Sequence, residues 1–181
     1  KKVNTTGKND DVYKSSAQVE LMNWINYEAS LPLSKINEKY FDRLTPKISL
    51  RANPTDMKNY SSSEREINTS NIFSVNRLGL DDTFEEGESL TLGLDYRKEI
   101  LEDMNKYFEF NLATILRAKE ESRIPKTSTT NQKGSNLFGS SNFNMSENLK
   151  INYNFATDNN LETFEYNSIG ANISLNNLVT N

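Results

Sequence analysis

The stretch Tyr107, Phe108, Glu109, Phe110, Asn111, Leu112, Ala113, Thr114, Ile115, Leu116, Arg117, Ala118 decides the fold. Phe108, Phe110, Leu112, Thr114, Leu116 and Ala118 alternate with Tyr107, Glu109, Asn111, Ala113, Ile115 and Arg117. A helix would bring apolar residues back every 3.6 positions, whereas a strand sends successive side chains to opposite faces. The period here is two, so this is a strand with one greasy and one wetter side.

The same alternation recurs on both flanks. Upstream, Ala17, Val19, Leu21, Asn23, Ile25, Tyr27 and Ala29 form one side of a predicted strand, and Leu44, Pro46, Ile48, Leu50 and Ala52 form the next. Leu90, Leu92, Leu94 and Tyr96 alternate with Ser89, Thr91, Gly93, Asp95 and Arg97. Downstream come Leu137 to Met145, Leu149 to Phe155, and Ile169 to Leu175 at the same spacing. Loops are predicted at 1–11, 53–70 and 124–134, where Asn, Ser, Thr, Asp and Lys favour turns through side-chain to backbone hydrogen bonds. Ser146, Glu147 and Asn148 predict a hairpin, and 157–160 a second tight turn. Segment 97–106 could be one helical turn, but the alternation resumes at Tyr107, which favours a turn between strands. Short turns thus alternate with long polar loops.

Composition narrows the class. The chain has 181 residues, of which 35% are hydrophobic, with a net charge of −4 and a mean hydropathy of −0.73. An acidic balance argues against nucleic-acid binding, which calls for a basic face. No cysteine and no histidine are present, which removes disulfides, thiolate metal sites, catalytic triads and imidazole proton relays. No apolar run reaches the roughly 18 to 20 residues of a membrane-spanning helix. The opening Lys1, Lys2, Val3, Asn4 carries no targeting signal, and the chain is expected to be a window of a longer polypeptide.

Two all-β architectures remain. A soluble sandwich must fill one shared core from two sheets. An antiparallel transmembrane β-barrel presents its apolar face to lipid and its polar face to a wet lumen, so one apolar residue in two suffices. The low hydrophobic fraction, the unequal loop lengths and the charges at alternate positions favour the barrel, with about 8 to 10 strands of a larger wall expected here. Lys47 and Arg51, Asp95 and Arg97, and Lys150, Asn152 and Asn154 are expected on one side, the lumen. Trp24, Tyr27, Phe108, Phe110, Tyr153 and Phe155 suit interfacial girdles or ordinary sheet packing.

The ordered segments Asn76, Arg77, Leu78, Gly79, Leu80, Asp81, Asp82 and Glu86, Gly87, Glu88, Ser89, Leu90, Thr91, Leu92, Gly93, Leu94 resemble the LPS-assembly protein LptD family. Pro32 with Leu33 resembles that family's "PL" element, and Thr45 with Pro46 the "TP" opening of its following strand. The strand Phe110 to Lys119, a polar loop, and Gly134 to Gly139 follow in family order. The resemblance covers roughly Gln18 to Asn181. It implies a non-enzymatic outer-membrane barrel of Gram-negative envelope biogenesis that inserts lipopolysaccharide into the outer leaflet. This chain would be the middle of a single barrel domain, with the periplasmic jellyroll and further strands outside it. Implied partners are lipopolysaccharide, an LptE-like lipoprotein plug, an LptA-like periplasmic bridge and the barrel-assembly machinery; no cofactor is implied. The rivals are another outer-membrane barrel, porin or receptor, and a soluble carbohydrate-binding sandwich.

Candidate site residues follow. Pro46, Arg77, Gly79, Asp81, Asp82 and Gly87 form the family-motif turn, read as structural, with Arg77 expected to pair with Asp81 and Asp82, the alternative being a direct contact with a lipid phosphate. Lys47, Arg51, Arg97 and Arg117 are either a lumenal basic track for phosphorylated sugars or partners of lumenal carboxylates. Asp81, Asp82, Glu85, Glu86 and Glu88 are either a solvated turn or a divalent-ion contact, although their spacing is not that of an EF-hand. No nucleophile with an adjacent base is visible.

Overall fold

A computed structural model describes residues 2–4, 18–20, 23–81, 83–175 and 178–180. β1 (Lys2–Asn4) and β2 (Gln18–Glu20) form an antiparallel ladder of their own. One nine-stranded antiparallel sheet contains β3 (Ile25–Ser30), β4 (Leu33–Ile36), β5 (Tyr40–Asn53), β6 (Gly87–Ile100) and β7 (Asp103–Arg117). It continues through β8 (Leu137–Ser146), β9 (Leu149–Thr157), β10 (Phe164–Leu175) and β11 (Leu178–Thr180). From β5 to β11 each strand pairs with the next in sequence, while β3 and β4 both pair with β5. The sheet is open, an all-β barrel-type segment. Among the described residues there is no α-helix, only a 3-10 turn at Lys126–Ser128.

Two expectations change. The predicted strand from Ala17 to Ala29 is divided between β2 and β3, with Ala17, Leu21 and Met22 outside the described residues, and the predicted loop 1–11 contains β1. The segment 97–106 holds the expected turn rather than a helix, but only at Leu101 and Glu102; residues 97–100 belong to β6 and 103–106 to β7.

β3 and β4 are in fact one line of pairing. Ser30 lies opposite Lys47 and Leu33 opposite Leu44, so the register does not shift between them. Leu31 therefore faces Pro46, whose carbonyl accepts the Leu31 N–H at 3.0 Å. In a strand the N–H and C=O of one residue point the same way, so the donor missing from Pro46 falls on this side. The ladder from β5 to β6 continues from Tyr40 to Asn53 past it. The "PL" and "TP" elements, far apart by motif, lie side by side.

Register sorts the faces. Lys47, Gly93, Ala113, Phe138 and Ala156 lie across one another, as do Arg51, Ser89 and Arg117, and as do Arg97, Glu109, Asn142 and Asn152. All of these belong to the polar face. Ile48, Leu92 and Thr114, with Phe108, Phe143 and Ile151, share the other. Short turns at Leu101 and Glu102 and at Glu147 and Asn148 mark one end of the sheet; segments 54–86, 118–136 and 158–163 mark the other.

The buried core sits on the polar side. Ala113, Ile115, Phe138 and Ala156 of the sheet pack with Met57, Ile67, Ile72, Leu78, Leu80 and Ile124 from the two long segments. The apolar side is open: Leu50 is 50%, Met145 48% and Ile169 78% exposed. The long segments are thus not solvated loops; they fold back over the half of the polar face nearest them.

Candidate functional site

The site is the polar face with its inserted segment, and the motif turn builds its centre. Asn76 spans the bend: its Oδ1 accepts the Leu80 N–H at 2.9 Å and its Nδ2 donates to the Leu80 carbonyl at 2.7 Å. Gly79 occupies the left-handed region at φ 60°, open to glycine without steric cost. The exposed bend at Gly79 drives its neighbours Arg77, Leu78 and Leu80 inward, and all three are buried.

Arg77 does not pair with Asp81, which is exposed, and Asp82 lies outside the described residues. It grips Glu85 instead, Nε to Oε2 at 2.7 Å and Nη2 to Oε1 at 2.5 Å. A planar guanidinium matches both carboxylate oxygens at once, which a solvated turn would not reward. Its remaining donors reach Thr91 Oγ1 at 3.0 Å and Ser89 Oγ at 3.1 Å on the sheet. Arg51 Nη1 donates to Glu85 Oε2 at 3.3 Å, and Arg117 Nη1 donates to Oε1. Three guanidiniums from two strands and the inserted segment converge on one carboxylate.

The charge surplus is met by neutral acceptors. Arg51 Nη2 donates to the Ser74 carbonyl at 2.6 Å, and Arg117 donates to the carbonyls of Glu86 and of Lys119. Burial alone would push the Glu85 carboxyl up, but Arg77, then Arg117 and Arg51, reverse that and hold it below the ordinary value of 4.5.

The Glu-Gly pair of the motif closes the segment. Gly87 takes φ 85°, and a Cβ there would meet Arg117 Nη2 at 3.1 Å. Glu86 accepts the Met57 N–H at 2.9 Å and Arg123 Nη2 at 2.6 Å. Arg123 also bonds Glu121 and the Met57 carbonyl, so it ties segment 118–136 to segment 54–86. The Glu121 hydrogen bonds raise the Arg123 pKa, and the same contact lowers that of Glu121.

Each member of the basic set has a carboxylate. Lys47 pairs with Asp95, Arg51 and Arg117 with Glu85, and Arg97 with Glu99 and Glu109. Arg97 also stacks over Tyr107 at 4.0 Å. The four lie on one face but apart: Arg51 and Arg117 buried under the inserted segment, Lys47 part-exposed beside its Phe73 ring, and Arg97 on the part-exposed surface toward the short turns. Among the described residues, no group of acidic side chains is arranged to hold a metal ion, those of Asp81, Glu85, Glu86 and Glu88 included.

Several contacts carried little signal in sequence. Glu85 reads as one acidic residue among five, and Arg123 lies in a polar loop. Gly93, midway along a strand, did carry one, because an isolated strand glycine marks close backbone approach; it admits the Phe73 ring. Among the aromatics, Trp24 packs against Phe84 of the inserted segment at 5.8 Å, whereas Phe108 lies between Tyr96 and Phe143 on the apolar face.

A comparison with curated proteins yields no match. Among protein families, the one described as LptD, LPS transport system D, matches residues 2–181. With that match across the motif turn, the paired "PL" and "TP" elements and the antiparallel sheet, the chain belongs to the LptD family of outer-membrane lipopolysaccharide transport and assembly proteins.

Proposed function

We propose that residues 1–181 are part of one outer-membrane β-barrel domain that delivers lipopolysaccharide to the outer leaflet, with the remaining strands and a periplasmic jellyroll supplied elsewhere in the protein. The observation that carries this reading is the inversion of the faces. Large apolar side chains stand exposed along one side of the sheet, while the core and the buried charges lie on the other. Water would penalise that arrangement and hydrocarbon would not.

In this reading the short turns face the periplasm and segments 54–86 and 118–136 the exterior, following the loop asymmetry of outer-membrane barrels. The inserted segment closes the outer half of the lumen. The half toward the short turns, around Arg97, Glu109, Asn142 and Asn152, is left for a lipoprotein plug of the LptE kind and for the sugar head in transit. An LptA-like bridge would supply lipid from the periplasm, and the barrel-assembly machinery would fold the wall. The protein performs no covalent chemistry; it lowers the barrier for a charged head to cross hydrocarbon by keeping that head on a polar surface.

Photo-crosslinking in cells tests this. A benzophenone side chain at Asn142 or Asn152 of the full-length protein is expected to capture lipopolysaccharide or the plug, and one at Leu92 to capture phospholipid. Intact transport with no lipopolysaccharide or plug adduct at either polar-face position would overturn the reading and favour a porin-like barrel.

A further inference from the structure

The apolar face ends abruptly at the short-turn end of the sheet. β6 runs from Leu94 and Tyr96 to Lys98 on the same side, opposite Asp42 of β5. The pairing of β6 with β7 shifts just beyond, between Glu99 and Ile100. Such an irregularity re-aims side chains, and Lys106 lines the same recess as Lys98. That recess, about 260 Å³, is floored by Tyr40, Phe108, Phe143 and Met145.

Its two lysines are its charged lining, and each has a carboxylate beside it outside that lining. Lys98 Nζ sits 4.3 Å from the Tyr40 ring centre and 3.9 Å from Asp42 Oδ1, and Lys106 Nζ lies 3.3 Å from Asp103 Oδ2. Tyr96 Oη holds the Asp42 carboxylate in place at 2.7 Å. Both lysines keep about two-fifths of their surface free, 41% and 42%, so each can exchange a carboxylate neighbour for another anion.

We propose that this recess binds the headgroup of a phospholipid carrying a phosphate and a primary ammonium, with Lys98 and Lys106 on the phosphate and Asp42 or Asp103 on the ammonium. The acyl chains continue onto the apolar face past Phe108 and Phe143. Two opposed pairs fit a zwitterion; a purely anionic headgroup would meet both carboxylates, and a quaternary ammonium has no N–H to give them. A lysine laid over an aromatic ring at the edge of an apolar band, as Lys98 is over Tyr40, is suited to that depth. The inference rests on the lipid-facing reading of the apolar side.

The test uses the full-length protein in phosphatidylcholine nanodiscs doped with phosphatidylethanolamine or phosphatidylglycerol, followed by native mass spectrometry of the retained lipid. Phosphatidylethanolamine is expected to be enriched about fivefold over both other lipids, the scale of one exposed charge pair. K98Q/K106Q is expected to abolish the enrichment, and D42N/D103N to shift it toward phosphatidylglycerol. No enrichment in the unaltered protein, enrichment of phosphatidylglycerol instead, or enrichment untouched by K98Q/K106Q would each overturn the site. In parallel, a bimane label on M145C is quenched by brominated acyl chains whatever the headgroup. Lost quenching would sink the lipid-facing reading itself, whereas strong quenching without enrichment would sink only the headgroup site.

Discussion

The Phe73 ring lies so close to Gly93 that a Cβ on that glycine would sit 2.6 Å from the ring edge. The inserted segment and the sheet are therefore fitted to each other at a single missing methyl group. Lys47, opposite Gly93 on β5, holds its ammonium 5.7 Å from the same ring.

Gly93→Ala is expected to displace Phe73 and cost about 1–3 kcal/mol, the range for overpacking a filled site. The double variant G93A/F73A should recover part of that loss, because the clash is then gone and only the ring's burial is missing. Urea unfolding of the bilayer-refolded protein measures both, and a Gly93→Ala variant as stable as the parent would show that the ring is not seated there.

Removing the anion at the centre of the cluster should be far worse than removing one at the surface. Glu85→Ala leaves Arg51, Arg77 and Arg117 facing one another without a counter-charge, and the loss is expected at about 3–5 kcal/mol. Glu88→Gln, at an exposed position one residue beyond Gly87, serves as the control and should be neutral. Limited proteolysis reports the effect directly: cleavage within 54–86 should rise sharply for the first variant and stay at the parent level for the second.

Acid should release the same clamp, and the sign follows from the direction of the Glu85 shift. Its folded pKa lies below 4.5, so the folded state binds fewer protons and gains stability that is fully present above 4.5. That contribution fades as pH drops from 4.5 through the lower folded value. Hydrogen-exchange protection over 76–87, taken relative to the intrinsic amide rate at each pH, should therefore be unchanged between pH 7 and pH 5, then fall at more acidic pH. Protection already lost at pH 5 would contradict the assignment.

The outward face makes a prediction that separates membrane from water. Leu92 lies near the middle of β6 and is 39% exposed. Leu92→Arg should cost about 2–4 kcal/mol if hydrocarbon covers it, but no more than about 0.5 kcal/mol if it faces solvent. Heat-resistant migration of the folded protein and urea midpoints in bilayers distinguish the two results.

The alternation in 107–118 and its repeats was enough to specify strands and their faces, because a strand's side-chain period is fixed by backbone geometry alone; favouring a barrel over a sandwich also took the composition and the unequal loops. The motif residues likewise announced a turn, since Asn76 and Gly79 act within five residues of sequence. Pro46 was expected to open a strand, where its missing donor costs no ladder bond; it stands instead inside β5, and that missing donor falls at the break between β3 and β4.

Where the long segments go was decided only in three dimensions. Nothing local distinguishes Glu85 from Asp81 or Glu88; its burial depends on Arg51 and Arg117 arriving from strands more than thirty positions away on either side. Met57, Ile67 and Ile72 are too sparse to show a period, yet they find Ala113, Ile115 and Phe138 on the polar side of the sheet. Sequence periodicity encodes which way each side chain points. Which surface a long segment covers is set by the sum of distant contacts that offset the entropy of ordering it, and that sum exists only in the folded chain.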